Sequence, residues 1–574
     1  MKLIALVIKQ YDKLFKEQIF NFSDEYKVDF NFEANELKID KNPDYIENFY
    51  GKSIYNITPI VGINGSGEST LLELIKYVTQ NSDSHLNNNN SYFKVFKDNE
   101  KFKVKQYNMT VRENENFEIN GDDGLPQEIN VNTVISYFNL HNQSFGGGSG
   151  LVDNNTVGME ANWSPLENYY RVYSEFYSKE IFSDFKFKIS LTRSYFSPDS
   201  LTQALFNKKE LIKEVCLTLI TNIRDKIFDT LRATNKEKGE SLVVLDSILA
   251  QIADYKSEDK DDWESDIKFY ENKMKDLDDF YLLKEGFYDV SFFEVFQRIS
   301  SVLFLFKNYI IGIENEKIIV EFPRDLSQNQ NFLKICKKFD SLCEFLNRYL
   351  HLGLSILNFD SFCMSAGEIN FIRLFSNALF SQQQFNDIKD YIFLIDEIEM
   401  GMHLEWSRKL IDNFIEFLKR KGQREDVSLQ LVFTTHSPYM LSDIKPGNVI
   451  MLEKNQETGY SEGKVLQNTF AKNIQEIMKE NLIDNIYGDF ALAKINSMIS
   501  RLNGEVAQAG DEEEGLLKEI HLISEPILRN KLLEMYDKKY KTEESSIDKQ
   551  LNQLNLNVQQ RMQVKKMIEE NNKK

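Results

Sequence analysis

The chain opens with an unbroken apolar run, Leu3 to Ile8, that Lys9 and Gln10 terminate; it reads as a buried first β-strand. Alternating apolar and polar positions follow in Lys27-Val-Asp-Phe-Asn-Phe32 and Glu36-Leu-Lys-Ile39, the period of half-buried strands. Ile57-Thr-Pro-Ile-Val61 predicts another strand, leading through a glycine-rich loop into a helix over Ser69–Val78. Residues 80–130 are rich in Asn and Asp, and pieces such as Phe102-Lys-Val-Lys105 predict exposed hairpins. Thr133-Val-Ile-Ser-Tyr-Phe138 predicts a buried strand, and Gly146-Gly-Gly-Ser-Gly150 a flexible break. From about 160 to 355 the pattern turns helical; Ser257 to Lys284 mixes both charge signs with aromatics and reads as a solvated helix pair. After 356 short apolar runs return at Tyr391–Ile395, Leu429–Phe433 and Val449–Leu452, typical of parallel strands. The last hundred residues read as helices with a polar tail.

Composition narrows the class. With 574 residues, 42% hydrophobic and 28% charged, the chain has room for two or more domains with full cores. The formal charge of −20 argues against coating nucleic acid by bulk attraction, while leaving room for a local basic groove. No run reaches the roughly 18 apolar residues of a membrane helix, and the opening run lacks a cleavage site, so neither a membrane nor a secretory role is expected. Cys216, Cys336, Cys343 and Cys363 form no CxxC pair, which fits a reducing cytoplasm and no zinc site.

The chemistry starts at Gly62-Ile-Asn-Gly-Ser-Gly-Glu-Ser-Thr70, a loop between a strand and a helix, the context of G-x-x-x-x-G-K-[ST]. Gly62, Asn64, Gly65, Ser66, Gly67, Glu68, Ser69 and Thr70 are therefore candidate nucleotide contacts, with backbone N–H groups facing a triphosphate and the Ser69 hydroxyl facing Mg²⁺. Glu68 stands where the motif has Lys. A unit-charge pair at 4 Å amounts to about 4 kcal/mol at an effective dielectric of 20, so reversing its sign costs several kcal/mol. Glu68 reads either as an inactivating substitution or as a natural variant that binds without turnover; the otherwise complete motif set favours the first.

Three further motifs follow in order. Met364-Ser-Ala-Gly-Glu-Ile-Asn370 begins an amphipathic helix, and Ser365, Ala366, Gly367 and Glu368 form either an anion site or a plain capping box, which are compatible readings. Tyr391-Ile-Phe-Leu-Ile-Asp-Glu-Ile-Glu399 ends an apolar strand in carboxylates: Asp396 for Mg²⁺, Glu397 to orient or deprotonate water. Thr434-Thr-His-Ser-Pro438 puts His436 at the next strand end, within reach of a γ-phosphate or water. His403 is assigned to a loop that meets a partner subunit, and Asn139 or Gln143 to sensing Mg²⁺ and water.

In this order and spacing the four motifs resemble the ABC-type ATPases of the SMC/RecF-like class, over about 1–145 and 356–455. The resemblance implies an α/β fold, an ABC-type ATPase head with a mixed sheet flanked by helices. Its two parts are 1–145 and 356–460, with a mainly helical insertion over 146–355 and a C-terminal helical region over 461–574 for partner docking. It also implies ATP and Mg²⁺ as cofactors, held between one copy's loop and the Ser365 cap of another. Asn468-Thr-Phe-Ala-Lys-Asn-Ile474, Gly488-Asp-Phe-Ala491 and Ser524-Glu-Pro-Ile-Leu-Arg-Asn-Lys-Leu532 resemble the ATPase subunit of Septu-type anti-phage systems, which also occurs in retron-associated operons. That implies a homo-dimer or larger oligomer, an HNH-type nuclease subunit in trans, and in retrons a reverse transcriptase with its RNA–DNA hybrid. Beyond Ser437 there is no Asp-x-Asp and one histidine, His521, so no nuclease site of the chain's own is expected. Two rivals stay open: a non-hydrolysing scaffold that sequesters a nuclease, and a DNA-repair ATPase that contacts DNA.

Overall fold

The computed structural model describes residues 1–63, 65–79, 89–98, 101–112, 117–120, 133–139, 149–153, 156–160, 166–177, 186–191, 263–275, 292–314, 317–323, 329–347, 357–362, 364–385, 387–420, 427–483, 485–504 and 512–540, with isolated residues at 247, 250–252, 560, 563–564 and 567. Asn64, Gln143, Cys216, Cys363 and the Asn139 side chain lie outside the described residues. The chain packs as two compact units, Met1–Ile477 and Met478–Lys574.

The first unit opens with β1 (Lys2–Tyr11), β2 (Phe15–Asn21), β3 (Tyr26–Asn31), β4 (Glu36–Lys41), β5 (Ile54–Gly62) and α1 (Glu68–Thr79). Next come β6 (Ser91–Asp98), β7 (Lys101–Tyr107), β8 (Phe117–Asn120), β9 (Thr133–Asn139), β10 (Ser149–Asp153) and β11 (Thr156–Glu160). Then follow α2 (Leu166–Tyr177), β12 (Lys186–Leu191), α3 (Trp263–Lys275), α4 (Phe292–Phe306), β13 (Ile310–Glu314), β14 (Lys317–Glu321), α5 (Asn329–Asn347) and β15 (Leu357–Phe362). The remainder comprises α6 (Ala366–Gln384), β16 (Asp390–Asp396), α7 (Leu404–Arg420), β17 (Ser428–Thr434), α8 (Pro438–Leu441), β18 (Val449–Lys454), β19 (Ser461–Leu466) and α9 (Ile474–Asn481), which crosses into the second unit.

The central sheet runs β10-β11-β9-β16-β17-β5-β18-β19. From β11 to β18 every pairing is parallel, and β10 and β19 close the two edges antiparallel. A second sheet, β2-β1-β6-β7-β8, lies over it. This is the expected α/β class, a mixed central sheet flanked by helices.

Both faces of the inner strands are buried, which explains their continuous apolar runs. One core joins Leu3, Leu6 and Ile8 of β1 to Leu71, Leu72, Leu74 and Ile75 of α1, and to Ile392, Leu394, Val432 and Ile450 of the central sheet. Each such side chain contributes about 1.5–3 kcal/mol on burial. The alternate β1 positions Ile4, Ala5 and Val7 face a second core with β3, β4, β6 and β7. The other face of the central sheet carries an aromatic layer. Phe138 meets Phe393 at 5.1 Å between ring centroids, and Phe176 of α2 meets Phe371 and Phe375 of α6 at 5.0 and 4.9 Å.

Several sequence expectations change. Among the described residues the insertion is helical over α2 to α5, with short strands between them. Besides α2 to α5 it contributes β10 and β11 to the central sheet, and β12 to β14, with β15, form the antiparallel sheet β13-β14-β12-β15. Ser149 and Gly150, assigned to a flexible break, begin β10. β6 is no exposed hairpin: Tyr92, Phe93, Val95 and Phe96 are buried, and Lys94 is buried with its ammonium 5.1 Å from the Phe96 ring centroid. β19 extends the head past residue 460. In the second unit α10 (Asp489–Asn503), α11 (Glu512–His521) and α12 (Pro526–Tyr540) share a core of Met498, Leu502, Leu516, Ile520, Leu532 and Tyr536. Cys336 and Cys343 are free thiols. Among the described residues no helix is long and apolar enough to cross a membrane.

Candidate functional site

The site lies where β5, β16 and β17 end side by side. Parallel pairing of Ile395 with Phe433, and of Thr434 with Ile60, brings Asp396 and Thr434 beside the loop that leaves β5. Ligands of open parallel sheets collect at such carboxyl ends. The loop turns on Gly65 and Gly67, whose φ values of +88° and +101° are left-handed and disfavour any side chain. Ser66 N–H closes the turn on the Ile63 carbonyl at 2.9 Å. α1 then starts at Glu68, so Ser69 projects from the first helical turn.

Ser69 Oγ donates to Asp396 Oδ1 at 3.0 Å, and Thr434 Oγ1 donates to the same oxygen at 2.7 Å. Asp396 is only 7% exposed. The Thr434 hydroxyl also accepts the Glu397 N–H at 2.7 Å, and the Thr434 carbonyl accepts the Ile398 N–H at 3.2 Å. These bonds hold Glu397 at φ +46°, a left-handed conformation unusual for Glu. One residue of β17 thus fixes both members of the acidic pair. Glu399 forms a further brace: its Oε1 accepts the His436 N–H at 2.8 Å. Burial pushes the Glu399 carboxyl above its usual range, and the His436 N–H and Thr435 hydroxyl only partly offset this. His436 itself is exposed at the rim.

The Ser365 cap begins a helix that packs against the turn following the acidic pair. Ser365 N–H donates to Glu368 Oε2 at 2.9 Å and Glu368 N–H donates to Ser365 Oγ at 3.3 Å, a complete capping box. Gly367 lets α6 approach this turn closely: a Cβ there would lie 2.3 Å from the Gly401 carbonyl oxygen. Asn370 Nδ2 ties down the Met400 carbonyl at 3.0 Å. Ser365 and Ala366 are exposed, as are His403 and the large apolar side chains of Ile63 and Leu404. His403 caps α7, its Nδ1 accepting the Glu405 N–H at 3.2 Å.

The residues meet the two expected cofactors unequally. Ser69 and Asp396 offer hard oxygen donors side by side, a set suited to Mg²⁺. For phosphate the loop is divided. The Ser66 hydroxyl and Glu68 Oε1 are buried without a hydrogen-bond partner among the described residues. A Cβ on Gly62 would lie 2.1 Å from Ser66 Oγ and 2.7 Å from Glu68 Oε1, so the Glu68 carboxylate folds back into the turn itself. The unpartnered hydroxyl suits an anion, and the carboxylate repels one.

The structure therefore brings Gly62, Gly65, Ser66, Gly67, Glu68, Ser69, Asp396 and Glu397 around one turn, with His436 at its rim, Ser365 and Ala366 exposed, and Gly367 buried against Gly401. Thr434, Glu399 and Asn370 were not singled out from the sequence. Thr434 and Glu399 sit in the motifs already noticed, but their roles depend on strand register.

Residues 223–442 match a family described as "AAA domain, putative AbiEii toxin, Type IV TA system". The match spans less than half of the chain and includes Ser365, Asp396, Glu397 and His436, while loop 62–70 precedes it. No curated protein matches the chain. Among solved structures, an Smc head domain with an extended coiled coil bound to the C-terminal domain of ScpA, derived from Pyrococcus furiosus, aligns at 13% identity. The alignment covers 83% of this chain and 98% of that one, with a TM-score of 0.25. The family match thus takes in the Ser365 cap, the acidic strand end and His436, and its description names an AAA domain.

Proposed function

We propose that two copies of this chain act as head-type ATPases, each ATP·Mg²⁺ lying between the loop of one copy and the exposed Ser365 cap of the other. The observation that carries this reading is the convergence of Ser69, Thr434 and Asp396, with bonds of 3.0 and 2.7 Å, at the ends of adjacent parallel strands. Exposed Ile63 and Leu404 beside the site support a head–head interface. Mg²⁺, when bound, neutralises charge on the phosphate oxygens. Ser69 and Asp396 would hold that ion, Glu397 would take a proton from water, and His436 would donate toward the phosphate. Glu68 suppresses this chemistry by placing a carboxylate in the phosphate turn. Glu68→Lys is expected to raise steady-state ATP hydrolysis about 100-fold or more. An unchanged rate in a folded E68K protein would reject the reading.

A second, more specific role is favoured by the tail motifs and by the toxin named in the matched family's description. In it the chain controls an HNH-type nuclease supplied in trans within an anti-phage complex, in retron-associated operons together with a reverse transcriptase and its hybrid, and the 461–574 region docks these partners. Co-expression with the neighbouring genes of its operon, followed by mass measurement of the purified complex, tests this. A chain that purifies without a nuclease would leave the general ATPase role, with DNA as the stimulating partner. Sequencing the source locus tests the scaffold alternative, which a genomic Lys codon at position 68 would eliminate.

A further inference from the structure

At the opposite end of the central strands from the loop lies a cavity of about 890 Å³, bounded by Ile54 at the start of β5 and Ser428 at the start of β17. β5 has 9 residues, so roughly 25–30 Å of strand separates this cavity from the phosphate turn. Four lysines line it, Lys2, Lys41, Lys52 and Lys97, against the two carboxylates Glu25 and Glu47. In a chain of net charge −20 this local excess of ammonium groups needs an explanation.

Internal pairing does not supply one. Asp390 and Glu25 both attract the Lys2 ammonium, but Glu25 is also engaged by Lys97 at 3.6 Å and Asp390 by the Met1 nitrogen. Lys2, Lys41 and Lys52 make no ion pair among the described residues. Lys2 is partly desolvated, its ammonium 4.1 Å from the Tyr55 ring centroid, and burial holds its pKa below the usual lysine range. The walls are fixed in advance. The Tyr55 hydroxyl shares a hydrogen bond with Ser23 at 2.6 Å. Asn42, buried beneath the rim, donates to the Asp24 carbonyl at 2.8 Å and accepts the Asp44 N–H at 3.2 Å, which shapes the turn that carries Tyr45. The volume falls within the range of small-ligand pockets, and the lining combines cations with the planar rings of Tyr45 and Tyr55.

We propose that this cavity is a second anion site that takes a nucleoside phosphate, free or at the end of a nucleic-acid strand. The lysines neutralise the phosphate and the half-buried Tyr45 ring receives the base, while Tyr55 holds the Lys2 ammonium in place. The site is independent of the ATPase reading, since it shares no residue with the loop or the acidic turn.

The test uses the full chain with three fluorescent probes: ATP, a 5′-phosphorylated trinucleotide and its 5′-hydroxyl twin. Binding of at least one phosphate-bearing probe is expected, and which one binds identifies the source. It should weaken about tenfold in Lys2→Gln/Lys52→Gln, weaken with added salt, and survive Ser69→Ala. The 5′-hydroxyl twin should bind at least about tenfold more weakly. Lys52 is exposed, so K52Q alone preserves the fold and should still weaken binding about threefold. Equal affinity in both lysine variants overturns the proposal, as does absence of binding by every probe up to about 1 mM.

Discussion

The Thr434 hydroxyl donates to Asp396 and accepts from the backbone of Glu397, so the two carboxylates that the proposed mechanism assigns to metal and to water share one anchor. Removing it frees Glu397 from a left-handed conformation that costs of order 1–3 kcal/mol unless surrounding bonds enforce it. In a Glu68→Lys background, Thr434→Val is expected to lower the ATPase rate about 100-fold, and Thr434→Ser to restore most of it, measured by phosphate release. The acidic pair was legible in the sequence because it ends a continuous apolar run. The role of Thr434 was not, because it depends on β16 and β17 pairing in parallel with Ile395 opposite Phe433. The fold of Glu68 back toward Gly62 was equally hidden, since only coordinates reveal where a buried side chain turns.

At the scale of elements, the strands were read best where both faces are buried. β1, β5, β16 and β17 gave unbroken apolar runs that end in motifs. β12 and β14, as Lys186-Phe-Lys-Ile-Ser-Leu191 and Lys317-Ile-Ile-Val-Glu321, are short and bounded by charge, and were absorbed into a helical pattern. The α2–α5 junction was hidden because its partners lie far apart in the sequence. There the Asp340 carboxylate accepts the Leu166 and Glu167 N–H groups at 2.7 and 3.0 Å, capping α2 from a neighbouring helix. Burial nevertheless pushes the Asp340 carboxyl up to about 7 from 3.8. A carboxyl raised in the folded state stabilises fully below its unfolded value, and that contribution is lost as pH climbs through the folded one. Stability should therefore decline between about pH 4 and 7, and Asp340→Asn should flatten that slope in melting temperatures. On α6, Gly367→Ala would drive a methyl into the Gly401 carbonyl, with about 1–3 kcal/mol of destabilisation expected in urea unfolding.

At the scale of the whole molecule, the proposed pocket shared between two copies, with Ser365, Ile63 and Leu404 exposed, makes association the event on which turnover would depend. A Glu68→Lys/Glu397→Gln protein, able to bind but slow to hydrolyse, is expected to double its mass on adding ATP·Mg²⁺, as read by light scattering. A mass that stays monomeric under saturating nucleotide would contradict the shared pocket.

The strand order carries one more consequence. β5 is flanked only by β17 and β18, which follow it by several hundred residues. During synthesis the ribosome must therefore release nearly the whole head before the loop-bearing strand acquires a hydrogen-bonded neighbour. Until then its apolar faces remain a liability for chaperones to shield, and a nascent chain interrupted before residue 428 lacks both strands that pair with β5.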